Sequence, residues 1–153
     1  MGDHFEVIKA AQDIFDNEID ALRKTRDSLG EDFEILVDLV LHCKGKVVLT
    51  GMGKPGHIGT KIAATLASLG TPSFFMHPAE AMHGDLGMVS ANDVVIAISF
   101  SGESDEIVRI LPNIGTIAQD ADTSAPGVHC ASRTRFDIII SLAAGKAIGT
   151  WDI

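Results

Sequence analysis

Apolar residues in the first forty positions recur at helical spacing. Ile8, Ala11, Phe15, Ile19, Leu22 and Leu29 fall three or four residues apart, or at sums of these, and acids fill the positions between. This predicts a helix over residues 4–29, stopped by Gly30. A second helix is predicted over about 31–42, with Phe33, Leu36, Val37, Val40 and Leu41 as its inward face. The two read as a helical hairpin that covers something else.

From Lys44 the rhythm shortens. Residues 46–50 form a β-branched run, followed by a glycine loop and a helix with Ile58, Ile62, Leu66 and Leu69 on one face. Residues 73–76 and 93–99 read as further strands. The second of these, Val94 to Ile98, is apolar on both faces, which suits a parallel sheet covered on two sides. A helix over about 103–114 carries Ile107, Ile110, Leu111 and Ile114. Beyond it, Val128–Ala131 reads as a short strand and Phe136–Leu142 as a clear one. Strand alternating with helix predicts an α/β layered fold. Its ligands should bind at the carboxyl ends of the strands.

The chain of 153 residues suits one domain, and 46% apolar residues suit a folded one. Its parts are a hairpin (1–43), an α/β core (44–114) and an end segment (115–153). The longest uncharged apolar run, Val94 to Phe100, is too short to span a bilayer. The N-terminus lacks the basic and apolar regions of a secretory signal, so a cytoplasmic protein is expected. Cys43 and Cys130 are too few for a disulfide scaffold and lack metal-site spacing. A net charge of -9 argues against nucleic acid or an anionic membrane as partner. Residues 1–38 hold eleven of the twenty-one acids, so the hairpin's outer face carries most of that charge.

Two loops carry candidate chemistry. Residues 51–56, Gly-Met-Gly-Lys-Pro-Gly, match the G-x-G-x-x-G pattern of dinucleotide loops. A ribose-binding acid is absent from the end of the next strand, which closes in His77-Pro78, and the P-loop spacing fails as well. A lone glycine pattern therefore does not establish a nucleotide site. Residues 99–104, Ser-Phe-Ser-Gly-Glu-Ser, stand between a strand and a helix. Three hydroxyls and a glycine at a helix N-terminus suit an anion. The plainer account is that Ser101 or Ser104 only caps the helix. Glu103 and Glu106 would repel a phosphate unless they serve another purpose, and a general base beside a sugar phosphate is one.

The stretch TGMGKPGHIGTKIAATLASLGTPSFFMHPAEAMHGDLGMV (50–89), followed by DVVIAISFSGESDE (93–106), resembles the sugar isomerase (SIS) domain of arabinose 5-phosphate isomerases. The HPAEAxHGDLG segment, residues 77–87, is its most specific part. The resemblance implies a doubly wound, flavodoxin-like parallel sheet. It implies an aldose–ketose isomerase that interconverts D-ribulose 5-phosphate and D-arabinose 5-phosphate for Kdo synthesis, with no redox cofactor. Lys54 matches a functional lysine and Glu106 a functional glutamate, with Glu103 as second choice. Gly51 and Gly53 belong to the substrate loop. Ser99, Ser101 and Ser104 match a phosphate loop, and Gly70-Thr71 a substrate-contacting turn. His83 matches a substrate-binding histidine, and His77 a position that can hold zinc. Self-association as a dimer or tetramer is also implied.

The chain departs from this pattern in four ways. Pro55 and Phe100 replace polar loop residues. Residues 115–135 diverge, and no glutamate stands near Lys146-Ala147 where the family has a second functional one. The family's last functional histidine and the CBS domains of many members are not found in this chain. The divergent or truncated end keeps open a second reading, a sugar-phosphate-binding SIS module without catalysis.

Overall fold

A run that is apolar on both faces must be covered on both, and the chain sets two such runs side by side. The structure, a computed structural model, describes residues 2–99, 102, 104–119 and 137–142. In chain order the elements are α1 (Gly2–Ser28), α2 (Glu31–Leu41), β1 (Val47–Gly51), α3 (Lys54–Ser68), β2 (Ser73–Phe75), α4 (Pro78–Met82), a 3-10 turn (Asp85–Met88), β3 (Val94–Ser99), α5 (Asp105–Gln119) and β4 (Asp137–Leu142). Every residue of β1 and β3 is buried. The expected strand at 128–131, like Phe136, lies outside the described residues.

The sheet order is β2-β1-β3-β4. β1 pairs in parallel with β2 from Val47↔Ser73 and with β3 from Val47↔Val94 to Gly51↔Ile98. β4 runs antiparallel to β3, with Asp137 opposite Ser99. The expected parallel sheet thus holds for three strands, and the fourth reverses. A run of isoleucines demands burial but does not specify direction, so the sequence pattern could not tell the two apart.

Helices cover both faces. On one, Ile35, Leu36, Leu39 and Val40 of α2, with Ala63 and Leu66 of α3, pack on Val47, Leu49, Val94, Ile96 and Ile98. On the other, Met76, Ala81, Val89, Ile110 and Ile114 pack on Val48 and Val95, and Ile107 and Leu111 pack on Ala97. At the amino edge the buried Asp93 carboxylate accepts the backbone N–H groups of Lys46 (2.7 Å) and Ser90 (2.8 Å), tying the start of β1 to the start of β3. No described helix is long and apolar enough to cross a membrane.

Three helix faces differ from the periodicity reading. On α2, Leu36 and Val40 do face inward, but Phe33, Val37 and Leu41 are exposed, and Ile35 and Leu39 replace them. Both stripes fit helical spacing, so spacing alone could not choose between them. On α3, Ile58, Ile62 and Leu69 are exposed, while Gly56, Gly59 and Ala63 face the sheet. Small residues let the helix axis approach the strands closely. A Cβ on Gly59 would stand 3.2 Å from the Phe75 ring, and one on Gly56 only 2.6 Å from the Gly51 carbonyl oxygen. On α1, Ile8, Phe15, Ile19 and Leu22, like Leu29 just beyond it, are all exposed, so this helix covers no part of the described sheet.

Because the atom facing Gly56 is backbone, no side chain can swing away to make room. Gly56→Ala is expected to destabilise the fold by about 2 kcal/mol or more. Urea denaturation followed by circular dichroism checks this; an unchanged midpoint would mean that α3 is not held so close.

Candidate functional site

β1 and β3 end next to each other, with Gly51 in register with Ile98. The chain leaves β1 for α3 on one face and leaves β3 for α5 on the other. This is the switch point of a doubly wound sheet, where a crevice opens beyond the strand ends. The glycine loop and the serine loop therefore flank one crevice, although they are far apart in sequence.

On the β1 side, Gly51 is buried, and a Cβ there would meet the Ile98 carbonyl at 2.8 Å. Gly53 takes φ +61°, a left-handed conformation that favours glycine, and stands at the N-cap of α3. Among the described residues no side chain caps this end, and no acid stands in its first turn. Lys54 is the first residue of α3 and is exposed. Pro55 follows in the first turn, where its missing N–H costs nothing. The α3 end therefore offers backbone donors, a dipole and one ammonium to an anion.

On the β3 side, Ser99 is buried at the strand end. Its Oγ accepts the Gly102 N–H at 3.1 Å and lies 3.1 Å from Ser104 Oγ. Gly102 takes φ +67°, which turns its N–H back onto Ser99. The carbonyl of Ser104 accepts the Val108 N–H at 2.9 Å, making Ser104 the N-cap of α5. Glu106, in the first turn of α5, is half-buried, and Asp105 beside it is exposed. Ser101 and Glu103 lie outside the described residues. The α5 end thus holds two bonded hydroxyls, a helix terminus and a carboxylate within one turn.

The other expected site residues stand apart. Gly70 (φ +94°) and Thr71 follow α3, whose fifteen residues run about 22 Å from the carboxyl edge to the amino edge. They lead directly into β2, where Ser73 pairs with Val47 at the start of β1. Within one chain they stand at the opposite end of α3 from Lys54. His77 caps α4, with its Nδ1 accepting the Ala79 N–H at 3.3 Å, and its ring meets Phe75 edge-on at 6.5 Å. His83 closes the same helix and is exposed. Among the described residues no group of three His, Cys, Asp or Glu side chains gathers to hold a metal, so His77 has no such cluster around it there.

Two open grooves of about 300 and 330 Å³ run along α2, lined by residues such as Ile35, Leu39, Phe33 and Val37. They carry little beyond a helix's own acids and apolar side chains. The crevice between the two loops is where polar groups converge, and it remains the candidate site. One residue there escaped the sequence reading. The Thr50 hydroxyl, fully buried at the end of β1, has no hydrogen-bond partner among the described residues. A threonine in an apolar run carries no sequence signal of this kind.

The sequence pattern of the SIS domain family matches residues 40–114, which contain both loops. The chain carries a SIS domain, homologous to that of arabinose 5-phosphate isomerases. It is 49% identical over 132 residues to the arabinose 5-phosphate isomerase GutQ of Escherichia coli K12, covering 83% of this chain and 41% of that protein. It is 53% identical over 114 residues to the arabinose 5-phosphate isomerase KdsD of Pseudomonas aeruginosa, covering 74% and 35%. The chain thus spans about two fifths or less of the length of these curated relatives. A structure of an Escherichia coli CFT073 protein, solved as a ligand complex, superposes with a TM-score of 0.69 at 47% identity, over 73% of this chain and 60% of that one. The SIS assignment agrees with the α/β sheet, the helices on both faces and the loops at its carboxyl edge.

In the SIS domain the serine cradle depends on Ser99, which holds both Gly102 and Ser104. Ser99→Ala is expected to cost about 1–2 kcal/mol, and Ser104→Ala less, since it leaves the Gly102 bond in place. Urea denaturation of both variants tests this ranking; equal losses would mean that the Gly102 bond adds nothing and the Ser99–Ser104 contact alone holds the loop.

Proposed function

We propose that this chain binds a pentose 5-phosphate between the glycine and serine loops and isomerises it, interconverting D-ribulose 5-phosphate and D-arabinose 5-phosphate. The observation that carries the reading is the meeting of the two loops at one switch point, in a domain about half identical to arabinose 5-phosphate isomerases. The phosphate suits the α5 terminus, with the Ser99 and Ser104 hydroxyls, joined by Ser101, as donors. Lys54, across the crevice, suits the phosphate or the enediolate oxygen.

Isomerisation requires a base to take the proton from C1 of the ketose. The C2 carbonyl oxygen gains a proton as the enediol forms. A proton then returns to C2, and the C1 hydroxyl gives up its own to become the aldehyde. The sequence is balanced without an oxidant or a redox cofactor. Glu106 suits the acid–base role, with Glu103 as second choice, and Lys54 would offset the developing negative charge. Zinc at His77 is not needed for any of these steps.

A non-catalytic sugar-phosphate module is the second reading. It is favoured by Pro55, which gives the α3 terminus neither a hydroxyl nor an N–H at that position. Ribulose 5-phosphate turnover separates the two. For the isomerase, both Lys54→Ala and Glu106→Gln should lower turnover by about 100-fold or more while the fold is kept. Sugar-phosphate binding by calorimetry with no turnover by the parent chain would instead support the module.

The proposal extends to self-association through α1. Its exposed apolar stripe is symmetric about Phe15: Ile8 and Leu22 are equidistant from it, as are Ala11 and Ile19. A second copy of α1 laid antiparallel across a two-fold axis at Phe15 would set these apolar residues against one another. Phe15→Glu should dissociate the assembly in light scattering. An assembly left unchanged by that variant would exclude the Phe15 stripe as its interface.

A further inference from the structure

The helices α2 and α3 cover the same face of the sheet, and each keeps an apolar column on its outer side. On α2 the column is Phe33, Val37 and Leu41, spaced four apart and exposed. On α3 it is Ile58 and Ile62, again four apart and exposed. Both helices are seated on the sheet by their other sides, through Ile35 and Leu39 on α2 and through Gly59 and Ala63 on α3. Within one chain the outer columns therefore cannot cover each other.

Charge sorts the two columns. Glu34 and Asp38 line the same open groove of about 330 Å³ as Phe33, Val37 and Leu41. The α2 sequence, EDFEILVDLVL, holds four acids and no base. The α3 sequence, KPGHIGTKIAATLAS, holds two lysines and no acid. One of them, Lys61, stands three residues past Ile58 and so beside it on the helix surface. Among the described residues neither Glu34 nor Lys61 has an ion-pair partner, and Asp38 has only His42 of its own helix.

An acidic apolar column and a basic apolar column thus lie side by side on one surface of one chain. A two-fold axis through that surface lays α2 of each copy on α3 of the other, so both columns are covered at once and each meets the opposite charge. Laying α2 on α2 would set acids against acids.

We infer that the outer face of the α2–α3 layer docks a second copy of this chain, α2 of one copy on α3 of the other. The groove along α2 takes the Ile58–Ile62 edge, and Lys61 comes to the acids beside it. This contact is separate from the one through α1, and it holds whether or not the crevice turns over a sugar phosphate.

The test is sedimentation equilibrium in a Phe15→Glu background, which removes the α1 contact so that this face alone is read. That chain should sediment as a dimer, at twice its 16.2 kDa. Glu34→Lys/Asp38→Lys reverses the α2 column and Lys61→Glu the α3 column. With unchanged circular dichroism, each should raise the dimer Kd about tenfold or more. An equal mixture of the two should recover parent-like association, because every α2 then meets an α3 of opposite charge. A monomeric Phe15→Glu chain overturns the inference. So does a Lys61→Glu chain that dimerises like its parent, the result expected if α2 packs on α2 or another surface pairs. A mixture that stays dissociated overturns it as well.

Discussion

The approach of α3 to the sheet is the constraint on which the site depends. Gly56 lies against the Gly51 carbonyl and Gly59 against the Phe75 ring, with no room for a Cβ on Gly56. That contact brings the N-terminus of α3 down onto the end of β1. β1 and β3 run paired up to Gly51 and Ile98, so the same contact sets Gly53 and Lys54 on the crevice that Ser99 and Ser104 flank. A wider helix would lift the glycine loop off the crevice and leave the serine loop to act alone. The G-x-G-x-x-G pattern is thus explained largely by packing: Gly51 and Gly56 permit close approach, and Gly53 supplies the left-handed turn.

The two helix termini at the crevice are not alike. The α3 end has a lysine and no acid in its first turn, and the α5 end has bonded hydroxyls and two acids. An anion bound between them would meet donors from both sides. This asymmetry suits a reaction in which one group holds charge and another moves a proton, since a uniformly basic crevice would hold a phosphate but supply no base. Within the serine cradle the Gly102 N–H and one of the two hydroxyl hydrogens are satisfied by the serines themselves.

The domain is more exposed than its composition suggests. Phe15 and Leu22 of α1, Leu41 of α2 and Leu69 at the end of α3 each leave about two thirds or more of their surface open. Single exposed apolar residues are ordinary, but stripes on three helices are not. Gly70 and Thr71 sit about 22 Å along α3 from Lys54, beside the start of the sheet's strands.

Much was legible in the order of residues. The strands β1 and β3, the helices between them, the two loops and their carboxyl-edge position follow from apolar runs broken by glycine and serine. These are local signals, set by backbone conformation and by the need to hide continuous apolar faces. What the order could not decide is which of two equally periodic stripes turns inward. On α2 the winner was Ile35 and Leu39 over Phe33 and Leu41, and on α3 it was the glycines over the isoleucines. That choice belongs to the neighbour each helix packs against, as does the reversed direction of β4. The orphan hydroxyl of Thr50 and the clasp made by Asp93 are likewise tertiary facts. A side chain's partner, or its lack of one, exists only once distant segments are brought together.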